Sequence, residues 1–99
     1  MPNGERPWRL ERFIDELDAW ILREDPSEDI SLIVLPWIMS RTDDPYLGVR
    51  REQTLDNLWF GAIPGSEDGN GQVVACSYWL FERERVVRCN SIASLSLPL

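Results

Sequence analysis

The sequence predicts an α+β domain in which two N-terminal helices pack on one face of a C-terminal antiparallel sheet of about four strands. Apolar residues recur at helical spacing up to residue 41, whereas from residue 49 onward they follow the period of β-strands. The 99 residues, 43% hydrophobic and with five tryptophans, suffice for one packed core without a metal or disulfide framework. We therefore expect residues 1–99 to form a single domain, helical over about 7–41 and sheet over about 49–93.

The first predicted helix spans residues 7–23. Its apolar side chains recur every three or four positions, and acidic side chains occupy the positions between them. This amphipathic pattern predicts that one side of the helix packs against the sheet. Four side chains of this helix are expected to pack beneath Tyr78, Leu80 and Val87 of the sheet: Leu10, Phe13, Leu17 and Ile21.

The second predicted helix spans residues 29–41. The residues before it match a helix start, with a capping residue, a proline and a capping-box acid at Asp25, Pro26 and Glu28. Because the segment is apolar almost all round and rich in β-branched residues, a strand over residues 30–34 is the competing interpretation. Pro36 would remove a hydrogen bond from a central strand but is tolerated by a bent helix, so we favour a kinked, buried helix.

Four strands are predicted at residues 49–54, 58–63, 73–81 and 86–92, after a turn at 42–45. Residues 64–72 contain three glycines and are expected to form a flexible hairpin loop. The last two strands form a hairpin, and with Arg83 and Glu84 at its tip Trp79 pairs with Arg88. One face of the hairpin is then apolar and includes Tyr78, whereas the other carries a polar and aromatic set: Ser77, Trp79, Arg88 and Asn90.

Cysteine usage and the lack of targeting signals predict a cytoplasmic location. Cys76 and Cys89 each lie in a predicted strand, which is typical of buried, reduced thiols in a cytosolic protein. In the hairpin pairing they are diagonal neighbours about 7–8 Å apart, too far for an unstrained disulfide. No secretory signal and no apolar run of membrane-spanning length is visible in the sequence, so we expect no membrane contact.

The chain has no histidine and no lysine, and all ten basic side chains are arginine. This composition excludes histidine-assisted nucleophiles, histidine-built zinc sites, the P-loop lysine and Schiff-base chemistry. We accordingly expect no metal site and no cofactor. Arginine binds phosphate or carboxylate and resists deprotonation, so the composition favours recognition over catalysis, and we do not expect an enzyme.

The sheet face that the helices leave open is the predicted binding surface. An arginine beside a tryptophan predicts a cation–π pair between Arg88 and Trp79, which would present a guanidinium group and an aromatic platform to an acidic partner or a phosphodiester. The candidate binding residues are Arg51, Trp79, Arg88 and Asn90, with Arg50 as an alternative to Arg51. The competing interpretation is structural, with Arg88 only covering Trp79 and the paired arginines only neutralising neighbouring acids.

The acidic side chains are concentrated near the N-terminus: residues 1–31 carry nine acids and four arginines, whereas residues 73–99 carry two and three. A net charge of −7 disfavours RNA or the ribosome as a partner. The acidic side of the first helix is either a solvated surface or a docking site for a basic protein, such as a DNA-binding regulator, and consists of Glu11, Asp15, Glu16 and Asp18. A second acidic cluster is expected to be only a turn: Asp43, Asp44 and Tyr46.

The order helix, helix, antiparallel sheet, with Leu58-Trp59-Phe60 before the final hairpin, resembles the RelE/ParE toxin superfamily over about residues 10–93. The resemblance implies a sheet face used on ribosome-bound mRNA or gyrase and an antitoxin partner that wraps the toxin. It also places Arg51 and Arg88 where members that cleave mRNA have phosphate-contacting arginines. The implied alternative function is a toxin-type mRNA endonuclease of a toxin–antitoxin pair, with Tyr78 or a carboxylate handling protons.

The chain departs from that family pattern in charge and in its termini. Those nucleases are usually basic, whereas this chain is acidic and free of lysine. Its tail, residues 94–99, lacks a tyrosine or histidine, and residues 1–8 have little strand character where the family has a first strand. We therefore expect a small cytoplasmic interaction or regulatory protein on a RelE/ParE-like scaffold, which binds a macromolecular partner through the open sheet face.

Overall fold

The computed structural model describes residues 6–96, which form a five-stranded sheet with two helices on one face. The elements in chain order are β1 (Arg9–Glu11), α1 (Phe13–Glu24), α2 (Glu28–Ser40), β2 (Arg50–Arg51), β3 (Leu58–Ala62), β4 (Gln72–Phe81) and β5 (Val86–Ser96). The strand order is β1-β5-β4-β3-β2, antiparallel throughout except that β1 runs parallel to β5. The predicted α+β class is confirmed. None of the helices within residues 6–96 has the length and apolar character needed to cross a membrane.

The start of the chain differs from the sequence prediction, because part of the expected first helix is a strand. Residues 9–11 pair with Val86–Arg88, and Arg12 then adopts a left-handed conformation, with φ of 67°, before α1 begins. From Phe13 the inward positions of α1 run through Leu17 to Trp20, so Trp20 is fully buried. Ile21, which we expected beneath the sheet, is 39% exposed instead.

The second helix is confirmed, and the strand interpretation of residues 30–34 is wrong. Its N-cap is Ser27, whose Oγ accepts a hydrogen bond from the Ile30 amide at 3.3 Å. Asp25, the expected cap, instead ends α1 in a left-handed conformation with φ of 47°. Because the cap is Ser27 rather than Asp25, Pro26 lies before the helix rather than at its first position, and α2 begins at Glu28, one residue before the expected bound.

The expectation that α2 is buried all round is also wrong. Val34 and Ile38 pack in the core, whereas Leu32 is 66% exposed and Met39 is 54% exposed. The sheet and α1 contact one side of α2 only, so an apolar sequence leaves apolar side chains facing solvent. The outer surface of the two helices therefore carries several exposed apolar side chains.

The β4–β5 hairpin follows the predicted register from its tip. Trp79 lies opposite Arg88 and Tyr78 opposite Cys89, after which a β-bulge inserts Asn90 and shifts the pairing by one residue. Strand β2 is shorter than expected and β5 extends to Ser96. Both cysteines are free and buried, and contact with the Cys89 thiol together with burial raises the pKa of Cys76.

One edge of β5 is completed by side chains rather than by a strand. Strand β1 covers only Val86–Arg88, so the outward backbone groups farther along β5 have no strand beside them in the described residues. Arg23 Nη2 donates to the Ile92 carbonyl at 2.8 Å, and the Ser94 amide donates to Glu24 Oε2 at 3.2 Å. The last turn of α1 thus satisfies two backbone groups of the uncovered edge.

The glycine-containing segment between β3 and β4 is held by its own polar side chains. Asp68 Oδ1 accepts hydrogen bonds from the amides of Asn70 and Gln72, at 2.8 and 3.0 Å. The buried Ser66 Oγ donates to the Ile63 carbonyl at 2.7 Å and accepts from the Val74 amide at 3.0 Å. Ser66 therefore extends the hydrogen bonding along β4 beyond the end of β3.

Candidate functional site

The register of the sheet identifies the side chains on its uncovered face. Residues opposite each other in paired strands share a face, and Trp79 lies between Leu58 and Arg88. Along β4 the alternate residues facing the helices are buried, whereas Trp79 and Phe81 are half-buried on the other side. We call this other side the open face, and its large side chains include Arg9, Arg50, Leu58, Phe60, Trp79, Phe81 and Arg88.

Arg88 is a neighbour of Trp79, as predicted, but its guanidinium group is engaged elsewhere. Its centre lies 4.8 Å from the ring centroid of Phe81, and its Nε and Nη2 atoms donate to Glu11 Oε1 at 3.1 and 3.0 Å. The hydrogen bond from Arg88 holds the pKa of Glu11 below its usual value. The predicted cation–π pair with Trp79 is replaced because β1 places Glu11, expected on a helix, directly beside Arg88.

The structure brings Arg50, and not Arg51, to the open face. Arg51 lies opposite Trp59, which packs against the core, so Arg51 is on the helix side of the sheet edge. Arg50 lies opposite Phe60, and its guanidinium carbon is 4.8 Å from the centroid of that ring. Within residues 6–96 no carboxylate forms an ion pair with Arg50. Arg50 therefore presents an unneutralised cation on an aromatic support.

Asn90 lies on β5 at the bulge, where its side chain has a structural partner. Its Nδ2 donates to Ser77 Oγ at 3.0 Å, and Ser77 Oγ in turn lies 2.9 Å from Ser91 Oγ. This chain of polar groups spans the bulge between β4 and β5. The sequence predicted Asn90 beside Arg88 but not the bulge that gives its amide a role within the sheet.

The acidic side chains are concentrated on the helix side of the molecule. Residues 13–40, which include both helices, contain seven acidic side chains and one arginine. On the other side, Arg9 and Glu11 of β1 share a face with Arg88, and Arg50 adds a further positive charge at the opposite edge. The negative net charge of the chain therefore belongs mainly to the helices, and the open face has an excess of arginine.

Tyr78, a candidate proton carrier in the endonuclease alternative, is buried in the core. Its hydroxyl donates to the Pro45 carbonyl and accepts from Arg41 Nη1 at 3.1 Å. Burial raises the pKa of Tyr78 to about 12. The hydroxyl faces the helix side of the sheet, so it does not reach the open face.

Arg41 is the polar residue that the sequence did not single out. It follows α2, is 2% exposed, and donates to the Leu47 carbonyl at 2.8 Å as well as to Tyr78. Its guanidinium carbon lies 4.2 Å from the ring centroid of Trp37. These contacts tie the turn after α2 to the sheet. The sequence pattern indicated no acidic partner for Arg41, so it gave no reason to expect that Arg41 is buried.

The cluster of Asp43, Asp44 and Tyr46 behaves as a turn. Asp44 Oδ1 accepts a hydrogen bond from the Tyr46 amide at 3.0 Å, which is the geometry of an Asx turn. The Tyr46 hydroxyl donates to the Glu82 carboxylate, and partial burial together with this contact raises the pKa of Tyr46. Asp44 is thus used within the turn, and the Tyr46 hydroxyl is engaged by Glu82.

Within residues 6–96, no three histidine, cysteine, aspartate or glutamate side chains lie close enough together to hold a metal ion. The side chains that do converge are the arginine and aromatic groups of the open face. That arrangement can bind apolar and acidic groups. No family model and no curated protein matches the chain.

Proposed function

We propose that the chain is a small interaction protein that binds a protein partner through the open face. The observation that carries this proposal is the row of half-buried aromatic rings, with Arg50 and Arg88 at its two ends, on the face that the helices leave uncovered. Aromatic residues and arginine are the side chains most enriched where proteins bind proteins. The β-sheet holds these side chains in place before binding, which lowers the entropic cost of association.

The charge distribution favours a protein partner over a nucleic acid. Glu11 neutralises Arg88, so Arg50 is the open-face arginine without a carboxylate beside it in the described residues. A polyanionic backbone would gain few phosphate contacts here while approaching a chain of net charge −7. A protein surface that offers apolar side chains and one carboxylate for Arg50 fits this face better.

The relative positions of the candidate catalytic groups favour binding over the endonuclease alternative. Arg51 and Arg88 lie on opposite faces of the sheet, so they do not meet at one phosphate. Tyr78 is buried beneath the helices, with both of its hydrogen bonds inside the protein. A RelE/ParE-like scaffold, an antitoxin or regulator as the partner and a cytoplasmic location are retained as parts of the proposal.

Site-directed photo-crosslinking in living cells tests the proposal, because Arg50 and Arg51 form a matched pair. They are adjacent, both exposed, and on opposite faces of the same two-residue strand. A photoreactive amino acid at position 50 should give a discrete protein adduct, and the same group at position 51 should not. A second substitution, Trp79→Ser, should abolish the adduct at position 50 and weaken binding of the purified partner roughly thirty-fold or more, as for a central interface residue.

The outcomes separate the alternatives. An adduct at position 50 that is removed by ribonuclease rather than by protease would replace the protein partner with RNA and favour the nucleic-acid hypothesis. Equal adducts at positions 50 and 51, or an adduct unaffected by Trp79→Ser, would show that the open face is not the binding surface. A thermal unfolding curve for Trp79→Ser checks that loss of binding does not reflect loss of folding.

A further inference from the structure

A second surface, on the helices and remote from the open face, has features of a binding groove. Between α1 and α2 lies an open groove of about 370 Å³, which we call the hairpin groove, lined mainly by apolar side chains. At its centre are Leu17 and Ile38, partly and fully buried, and at its rim are three exposed residues: Ile14, Leu35 and Met39. This groove results directly from the one-sided burial of α2.

The apolar rim continues as a stripe along α2. Leu32, Leu35 and Met39 recur at spacings of three and four residues, so they lie on one side of the helix, and all three are exposed. Scattered exposed leucines need no explanation, but an apolar stripe that borders an apolar groove is the usual receptor for a helix. A partner helix about 10 Å across, with apolar residues every three or four positions, matches such a groove.

Charge decides which occupant the hairpin groove can take. Seven of the side chains in residues 13–40 are acidic and one is an arginine. Asp15 and Arg12 both lie on the wall of the groove, and Arg12 is paired with Glu16, its Nη2 lying 3.4 Å from Glu16 Oε2. A second copy docked groove to groove would bring the same negative charge to the contact, and an anionic lipid surface would be repelled in the same way. The open face of a second copy carries arginine, but it is a sheet and presents no helix to the groove. Only a positively charged partner can bind the apolar rim and also be attracted by the acidic side chains around it.

We propose that the hairpin groove binds a basic amphipathic helix of a protein partner. The apolar side of that helix packs against Leu35 and Met39, and its lysine or arginine side chains face the acids of α1 and α2. This surface is independent of the open face, so the chain has two docking surfaces. It can therefore contact two different protein segments at once.

The test uses a fluorescent 18-residue peptide of leucine and lysine with leucines at helical spacing. Its control peptide has the same composition in an order that gives no apolar side. Fluorescence anisotropy with the full chain should show at least ten-fold tighter binding of the amphipathic peptide than of the control. Added salt should weaken both, because the ionic contribution is screened.

Matched variants locate the site. The double variant Leu35→Ser, Met39→Ser should weaken peptide binding ten-fold or more, whereas Leu55→Ser should change it less than two-fold. Leu55 is a suitable control because it is 43% exposed, close to the 45% of Leu35, and lies in the loop before β3. Arg50→Glu on the open face should leave peptide binding intact, so this proposal and the proposed function fail separately.

Three results would overturn the proposal. Equal binding of the two peptides would show that charge attraction alone accounts for the binding and that the apolar side of the peptide contributes nothing. Unchanged binding by the Leu35, Met39 double variant, with folding confirmed by circular dichroism, would place the peptide elsewhere. A dimer in sedimentation equilibrium that is lost in the same double variant would assign the groove to a second copy of the chain.

Discussion

Replacing Tyr78 with phenylalanine removes one oxygen atom from the core and leaves the packing of the ring unchanged. That oxygen donates a hydrogen bond to the Pro45 carbonyl and accepts one from Arg41 Nη1 at 3.1 Å. A buried neutral hydrogen bond contributes about 1 kcal/mol and one with a charged group about 1.5–3 kcal/mol. We therefore expect Tyr78→Phe to lower the free energy of unfolding by about 3 kcal/mol, a large share of the roughly 5–15 kcal/mol typical of a domain.

Urea denaturation at neutral pH, followed by tryptophan fluorescence, measures this loss as a shift in midpoint at constant slope. Tyr46→Phe is the matched control, because the Tyr46 hydroxyl bonds to Glu82 at the surface, where such pairs are worth less than about 1 kcal/mol. A loss below about 1 kcal/mol for Tyr78→Phe would refute the reasoning. It would mean that the hydroxyl does not secure the turn through Pro45 and Arg41.

Ionisation of the Tyr78 hydroxyl should lower the free energy of unfolding at alkaline pH. Burial raises the pKa of Tyr78 from 10.0 to about 12, so between these pH values the unfolded chain loses the phenolic proton while the folded chain keeps it. The stabilisation is fully present below about pH 10 and is lost as the pH rises towards 12, a fall of up to about 3 kcal/mol. Tyr78→Phe should show a shallower fall than the wild type, and equal falls would contradict the assignment.

Two substitutions, one within β3 and one in the segment that follows it, test close contacts in the same denaturation assay. Gly61→Ala would place a Cβ atom 2.9 Å from the Gly48 carbonyl oxygen and should cost about 1–3 kcal/mol, whereas Gly69→Ala, with open space around its Cβ, should cost nothing. Ser66→Ala removes the acceptor of the Val74 amide and should also cost about 1–3 kcal/mol. If Gly61→Ala or Ser66→Ala is as stable as the wild type, the corresponding contact does not exist in solution.

Local sequence patterns were sufficient for the elements that depend on neighbours in the chain. The cap signals before residue 29, although assigned to the wrong residue, correctly favoured a helix over a strand at residues 30–34. The hairpin register follows from a short tip, so the sequence alone places Trp79 opposite Arg88. Side chains alternate between the two faces of a strand, so the sequence also predicts which residues of β4 lie on the open face.

The features that were missed depend on partners far away in the sequence. Strand β1 has three residues and pairs with a segment 77 positions later, so no local pattern distinguishes it from the helix that follows. In the two-residue strand β2, a shift of one position exchanges Arg50 for Arg51 on the open face. The Arg41 side chain donates to the Leu47 carbonyl and to the hydroxyls of Tyr78 and Ser40. These acceptors are uncharged, so no acidic residue in the sequence indicates the contact.

The contacts of Arg23 and Glu24 with the uncovered edge of β5 bear on the solubility of the protein. Residues 89–96 carry no charged side chain, and a neutral strand with an open edge is a template on which further copies can add. Arg23 occupies the Ile92 carbonyl and Glu24 occupies the Ser94 amide, so an incoming strand would have to displace both side chains. The end of α1 thereby guards against fibril-like stacking at the edge where the sheet would otherwise continue to grow.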